Sequence, residues 1–194
     1  APEGYDLGFN PNGPESEADI LMVVTGGDND FTEADDFEVT GVWATGDATL
    51  TLTAEQVEAI STQGTGAIAE NWRIEEGVNV TLNVVGLTDE EIDLDAIAAA
   101  GFNIGTVEID EASGSDDTVV ELDENTTLGN ADLVQLNIVD GDITLILSAE
   151  QFNGLNGGNI VENRGENAEE EDQGTVIIDD LSGIEDPQTG EAMI

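Results

Sequence analysis

The chain has 194 residues, enough to bury a core as one domain or two small ones. Two basic residues stand against 45 acidic ones, a net charge of −43. That balance excludes nucleic acid and anionic lipid as partners, since phosphate recognition requires lysine or arginine. Histidine and cysteine are absent, which removes disulfides, thiolate metal sites and any Ser–His–Asp or Cys–His nucleophile system.

Repulsion summed over dozens of carboxylates needs an offset, from high salt or bound divalent cations. The remaining ligand atoms, from carboxylates, carbonyls and hydroxyls, suit calcium and magnesium. At 39% hydrophobic the chain is too apolar for a disordered acidic tail, so it should fold. No apolar run is long enough to insert in a membrane as a helix. A start at Ala1-Pro2-Glu3 reads as a processed mature end or a cut boundary.

In chain order, residues 1–16 carry Pro2, Pro11 and Pro14 and read as an extended N-terminal arm, with Tyr5, Leu7 and Phe9 alternating as in a strand. Residues 17–194 then form a single β-rich domain. Ile20 to Val24 predicts a strand buried on both faces, followed by an acidic loop from Gly26 to Asp36. Phe37 to Ala44 and Ala48 to Leu52 predict strands hinged at Thr45-Gly46-Asp47. Thr53 with Gln56 is a capping box opening a short helix that stops at Gly64 and Gly66. Val78 to Val85 is a strand, and Thr88 with Glu91 opens a second helix ending at Gly101. Thr106 to Ile109, Thr118 to Leu122, Leu133 to Val139 and Thr175 to Ile178 complete the strands. Ser148 with Gln151 caps a third helix, and Glu162 to Asp172 reads as an acidic loop. Ile184 to Ile194 looks like an edge or tail.

An internal repeat organises these elements. Gly46-Asp47-Ala48-Thr49-Leu50-Thr51-Leu52-Thr53-Ala54-Glu55-Gln56 is echoed by Gly141-Asp142-Ile143-Thr144-Leu145-Ile146-Leu147-Ser148-Ala149-Glu150-Gln151, with eight of eleven positions identical. Ile68 to Arg73 is answered by Ile160 to Arg164, which puts the two cations at matching places. Two related units follow, about 34–128 and 129–184, with a short C-terminal tail. The expected fold is mainly β with about three short helices, built of stacked strand–helix–strand units in a solenoid-like arrangement; a β-sandwich is the alternative.

No catalytic constellation competes with this architecture. Any two of 45 carboxylates can approach by chance, and aromatics for stacking sugars are few, so a paired-carboxylate glycosidase is not inferred. Calcium is the expected cofactor, because it takes six to eight oxygens from acid-rich, glycine-bearing loops. The candidate ligands are Asp28, Asp30, Asp35 and Asp36 in the first loop, Asp110, Asp116 and Asp117 in the second, and Asp140 and Asp142 at the repeat turn. None follows the EF-hand pattern, and the competing reading is a solvated surface with ordinary Gly/Asp turns. Arg73 and Arg164 are expected to pin their loops to neighbouring carboxylates. Asn79 and Asn125 head matches to the N-glycosylation pattern.

Thr49 to Gln56, with Val80 to Leu87 and Ile92 to Ile97, resembles repeats of large acidic secreted bacterial surface proteins of the RTX-type and S-layer-like kind. The resemblance implies an extracellular or cell-surface setting and association with calcium. Tandem glycine-rich nonapeptides are missing, so a calcium β-roll does not carry over. The reading is a non-enzymatic structural protein, a self-assembling surface-layer or filament subunit stabilised by calcium. It implies a homo-oligomer or polymer with a cell-surface or matrix partner. The alternatives are an adhesin-type binding module of a larger secreted protein and an acid-rich protein adapted to high salt.

Overall fold

A computed structural model of the chain describes residues 5–9, 20–34, 37–63, 68–88, 90–110, 117–139, 141–155, 159–170 and 172–179. It is mainly β, in three open sheets. The first half contains β1 (Tyr5–Phe9), β2 (Ile20–Val24), β3 (Gly27–Asp30), β4 (Gly41–Ala44), β5 (Ala48–Thr53), α1 (Ala54–Gln63), the single turn α2 (Ile68–Asn71), β6 (Trp72–Ile74) and β7 (Val80–Val85). The second contains α3 (Leu94–Ala99), β8 (Asn103–Asp110), β9 (Asp117–Glu121), β10 (Leu133–Ile138), β11 (Asp142–Leu147), α4 (Ala149–Asn153), β12 (Ile160–Arg164) and β13 (Gly174–Ile178).

The sheets have the orders β1-β2-β4-β6, β12-β10-β8-β7-β5-β3 and β13-β11-β9. Every pairing is parallel except β1 with β2. The chain makes repeated passes across two sheets, and each pass lays its strands beside those of the pass before. Early passes run from the four-stranded to the six-stranded sheet, as β4 to β5 and β6 to β7. Later ones run from the six-stranded to the three-stranded sheet, as β10 to β11 and β12 to β13.

Alternation along each strand explains this arrangement. In β7, Val80, Leu82 and Val84 are buried while Thr81 and Asn83 face outward. Parallel register repeats the choice in each neighbour, so Leu50, Leu82 and Ile104 form one inward row. Each such aliphatic side chain contributes about 1.5–3 kcal/mol on burial. One cluster of buried residues runs from Met22 to Leu155. Trp72 is buried in it, edge-on to Phe102 with ring centres 5.4 Å apart. Next to it, Asn71 Nδ2 donates to the Ile60 carbonyl at 2.9 Å and ties α2 to α1.

Two glycines answer to close approach. A Cβ on Gly46 would overlap the Thr25 carbonyl of the previous pass, and one on Gly105 would overlap Asn83 Oδ1. Gly105 lies where the β7–β8 register slips between Leu82 and Val84. There Asn83 Oδ1 accepts from Thr106 N at 3.0 Å, filling the gap in the ladder.

Several boundaries differ from the sequence reading. Gly27–Asp30 is a strand rather than loop, because each residue pairs with β5 while Asn29 turns inward. Phe37 to Ala44 is strand only over its last four residues. Ile20 to Val24 is not buried on both faces, since its residues alternate between buried and half-buried. The helix expected at Thr88 starts at Leu94 and is capped by Asp93, whose Oδ1 accepts from Ala96 N at 2.9 Å. Ile92 is instead held in extended chain against the later segment, accepting from Thr127 N at 2.9 Å. The start of the expected acidic loop, Glu162 to Arg164, belongs to β12. Residues 5–9 of the expected arm pair antiparallel with β2 of the same chain. Among the described residues no helix is long and apolar enough to cross a membrane.

Candidate functional site

Among the described residues the proposed calcium ligands lie on four strands, and two of them meet. Asp28 and Asp30 stand on the outward row of β3, while the intervening Asn29 is buried and donates to the Gly26 and Gly27 carbonyls at 3.3 and 3.0 Å. Asp30 Oδ1 accepts from Thr32 N at 3.0 Å and Thr32 Oγ1 at 2.8 Å. The backbone bond first and the hydroxyl second hold its pKa below the ordinary carboxylate value. Asp110 lies on β8 in the middle of the six-stranded sheet. Asp117 and Asp142 are direct register neighbours at the start of β9 and β11, so these two are brought together. Asp35, Asp36, Asp116 and Asp140 lie outside the described residues. Among the described residues no three acids are grouped to hold a metal ion.

Side-chain amides take up part of the charge instead. Asn137 Nδ2 donates to Asp110 Oδ1 at 2.6 Å and Glu108 Oε2 at 2.8 Å. Asn137 Oδ1 in turn accepts from Asn163 Nδ2 and Gln135 Nε2, each at 2.8 Å. Asp110, Asn137 and Asn163 share one register row across β8, β10 and β12, and form a polar ladder on the outward face. The sequence signal for it, a polar residue at the same register in three strands, is readable only once the pairing is known.

The repeated stretch supplies a device that ties one pass to another. Asp47 Oδ1 accepts from Asn79 N at 2.8 Å, and Asp142 Oδ1 accepts from Gln173 N at 2.6 Å. Both carboxylates therefore hold the entry of the following pass. The capping boxes are present in both copies: Gln56 N donates to Thr53 Oγ1 and Gln151 N to Ser148 Oγ, each at 3.2 Å. The same glutamines reach backward. Gln56 Nε2 donates to the Phe31 carbonyl at 2.9 Å, and Gln151 Nε2 donates to the Asp123 and Thr126 carbonyls at 2.8 and 2.9 Å. The copies nevertheless lie in different sheets, β5 in the six-stranded and β11 in the three-stranded one.

The arginines are not equivalent. Arg73 pairs in register with the exposed Trp43 on an outward row. Arg164 pairs with the buried Ile138, and so occupies an inward row. Both pin loops chiefly through main-chain carbonyls rather than through carboxylates. Arg73 Nε donates to Glu70 O at 2.7 Å, and Arg164 donates to the carbonyls of Glu169 and Asp172. Arg164 also meets Glu162 at 3.4 Å.

The helical side holds an open cleft of about 490 Å³, lined by Glu58, Glu91, Asp93, Asp95, Glu124 and Glu150. Such a rim repels anions and attracts cations. Compared with protein-family models, curated proteins and solved structures, the chain matches none.

Proposed function

We propose that the chain is a non-enzymatic structural element of a cell surface or extracellular matrix. In this reading it is a solenoid-like stack of parallel passes that serves as a stiff acidic building block for self-assembly. The observation that carries it is the recurring pass-to-pass device: Asp47 and Asp142 hold the next pass, while Gln56 and Gln151 hold the previous one. Residues spent this way serve length and stiffness, since each pass contacts its neighbours and little else. The resemblance of Thr49 to Gln56 to repeats of acidic surface proteins points the same way. Calcium acts here as a counterion to the charged faces, with the Asp117–Asp142 pair as one place of contact, rather than as the ligand of a preformed cage.

An acid-rich protein adapted to high salt is the second reading. It is favoured by the ion-pair census: among the described residues one salt bridge, Arg164 with Glu162, is present in a chain of 45 acids. Light scattering during a calcium titration at fixed ionic strength, and during a monovalent-salt titration without calcium, separates the two. Growth of scattering at millimolar calcium supports the assembling block; growth or folding that follows ionic strength alone supports the second reading.

A further inference from the structure

The two ends of the sheet system differ. At the first pass the inward row is closed: Met22, Val24 and Asn29 are at most 1% exposed, with Phe31 and Val39 buried beside them. At the last pass the corresponding row is more exposed among the described residues. β12 continues the buried row Val134, Leu136, Ile138 with Ile160, Glu162 and Arg164, and β13 continues Ile143, Leu145, Leu147 with Gly174, Val176 and Ile178. Val176 is 37% exposed although it stands on a core row, and Val161 and Ile177 are exposed as well. Among the described residues no strand lies beyond β12 or β13. A strand edge of this kind is a template for pairing with another chain.

We infer that the end formed by β12 and β13 is a docking surface for the same end of a second copy of this chain. At the opposite edge of the same sheet β3 carries the exposed Asp28 and Asp30, so a head-to-tail contact brings acids against Glu162, which disfavours it. A contact between identical ends is two-fold, and a two-fold axis across the edge sets the facing strands antiparallel. The sequence Glu162-Asn163-Arg164 is self-complementary under that reversal. With Asn163 at the axis, Glu162 faces Arg164 of the second copy, and the reverse holds as well. Arg164 is one of two cations in a chain of net charge −43, and its place on this edge beside Glu162 gives the surface a charge match under that reversal. Its ion pair is already formed within the chain, so covering it leaves no charge unmatched. Ile160, Val176 and Ile178 would close over one another at the joined core ends. Repulsion between the copies makes screening a requirement.

This inference rests on the reading of the chain as an assembling block, and names one contact in it. The chain has no cysteine, so Asn163→Cys carries a single thiol at the expected axis, and Asp28→Cys carries one at the closed end. Each is oxidised in molar salt and in calcium. Asn163→Cys should convert mostly to a disulfide-linked dimer, at least tenfold faster than Asp28→Cys, and adding Val176→Asp should remove the advantage. Equal rates for the two variants, or rapid linkage only when they are mixed, would overturn the contact. Assemblies that grow while Asn163→Cys stays unlinked would remove this contact and leave the structural reading standing. Linkage without any larger assembly would do the reverse.

Discussion

Gln56 and Gln151 each close a capping box with one end of the amide and reach the preceding pass with the other. Truncation of Gln151 removes the side-chain donor of the Thr126 carbonyl, which costs about 1–3 kcal/mol, whereas the Phe31 carbonyl reached by Gln56 still accepts from Ala34 N. Denaturant melts should therefore place the loss in Gln151→Ala above that in Gln56→Ala; equal and negligible losses would contradict the bridging role. Asp30 offers a test by titration. Its folded pKa is lowered by Thr32, so its stabilising contribution is present above the unfolded value of about 3.9 and is lost as pH falls through the folded one. Asp30 is exposed, so that contribution is small. NMR titration should show the depressed value, and Thr32→Val should raise it partway, since the backbone bond remains. An unchanged titration would remove the hydroxyl from the account.

At the scale of elements, the strands with clean alternation were legible from residue pattern: β5, β7, β8 and β10 overlap the stretches read as strands, and β11 follows from the repeat of β5. Both Thr53 and Ser148 were legible as caps, because a capping box is a local device that needs no knowledge of the fold. Thr53→Ala and Ser148→Ala should each cost about 0.5–2 kcal/mol in thermal or chemical melts. No loss at either site would mean that tertiary packing alone sets the helix start. What could not be read was set by pairing. β3 reads as loop because its two aspartates flank an inward asparagine, and β12 reads as loop because glutamate and arginine occupy core-row positions at an end. Thr88 has the motif of a cap but not the context, since Thr88 N takes Glu90 Oε2 at 2.8 Å while Ile92 is held against Thr126 and Thr127. Which acids meet was also set by pairing: Asp28 and Asp30 share one face of β3, and Asp117 reaches Asp142 only through the pairing of β9 with β11.

For the whole molecule the governing quantity is the charge of −43, carried by a fold whose passes are held by inward aliphatic rows and short polar ties. Counterions that bind only the folded state add RT ln(1 + [L]/Kd), about 2.7 kcal/mol at a hundredfold excess over Kd. Melting midpoints in calcium should therefore exceed those in chelator at equal ionic strength, and identical midpoints would remove calcium from the account. Assembly itself is seen most directly by electron microscopy of the purified chain with millimolar calcium and with chelator. Ordered layers or filaments with a regular repeat in calcium, dispersing on chelation, are the expected result. Uniform single particles in both conditions, and in molar salt, would contradict the claim that this chain is a structural building block.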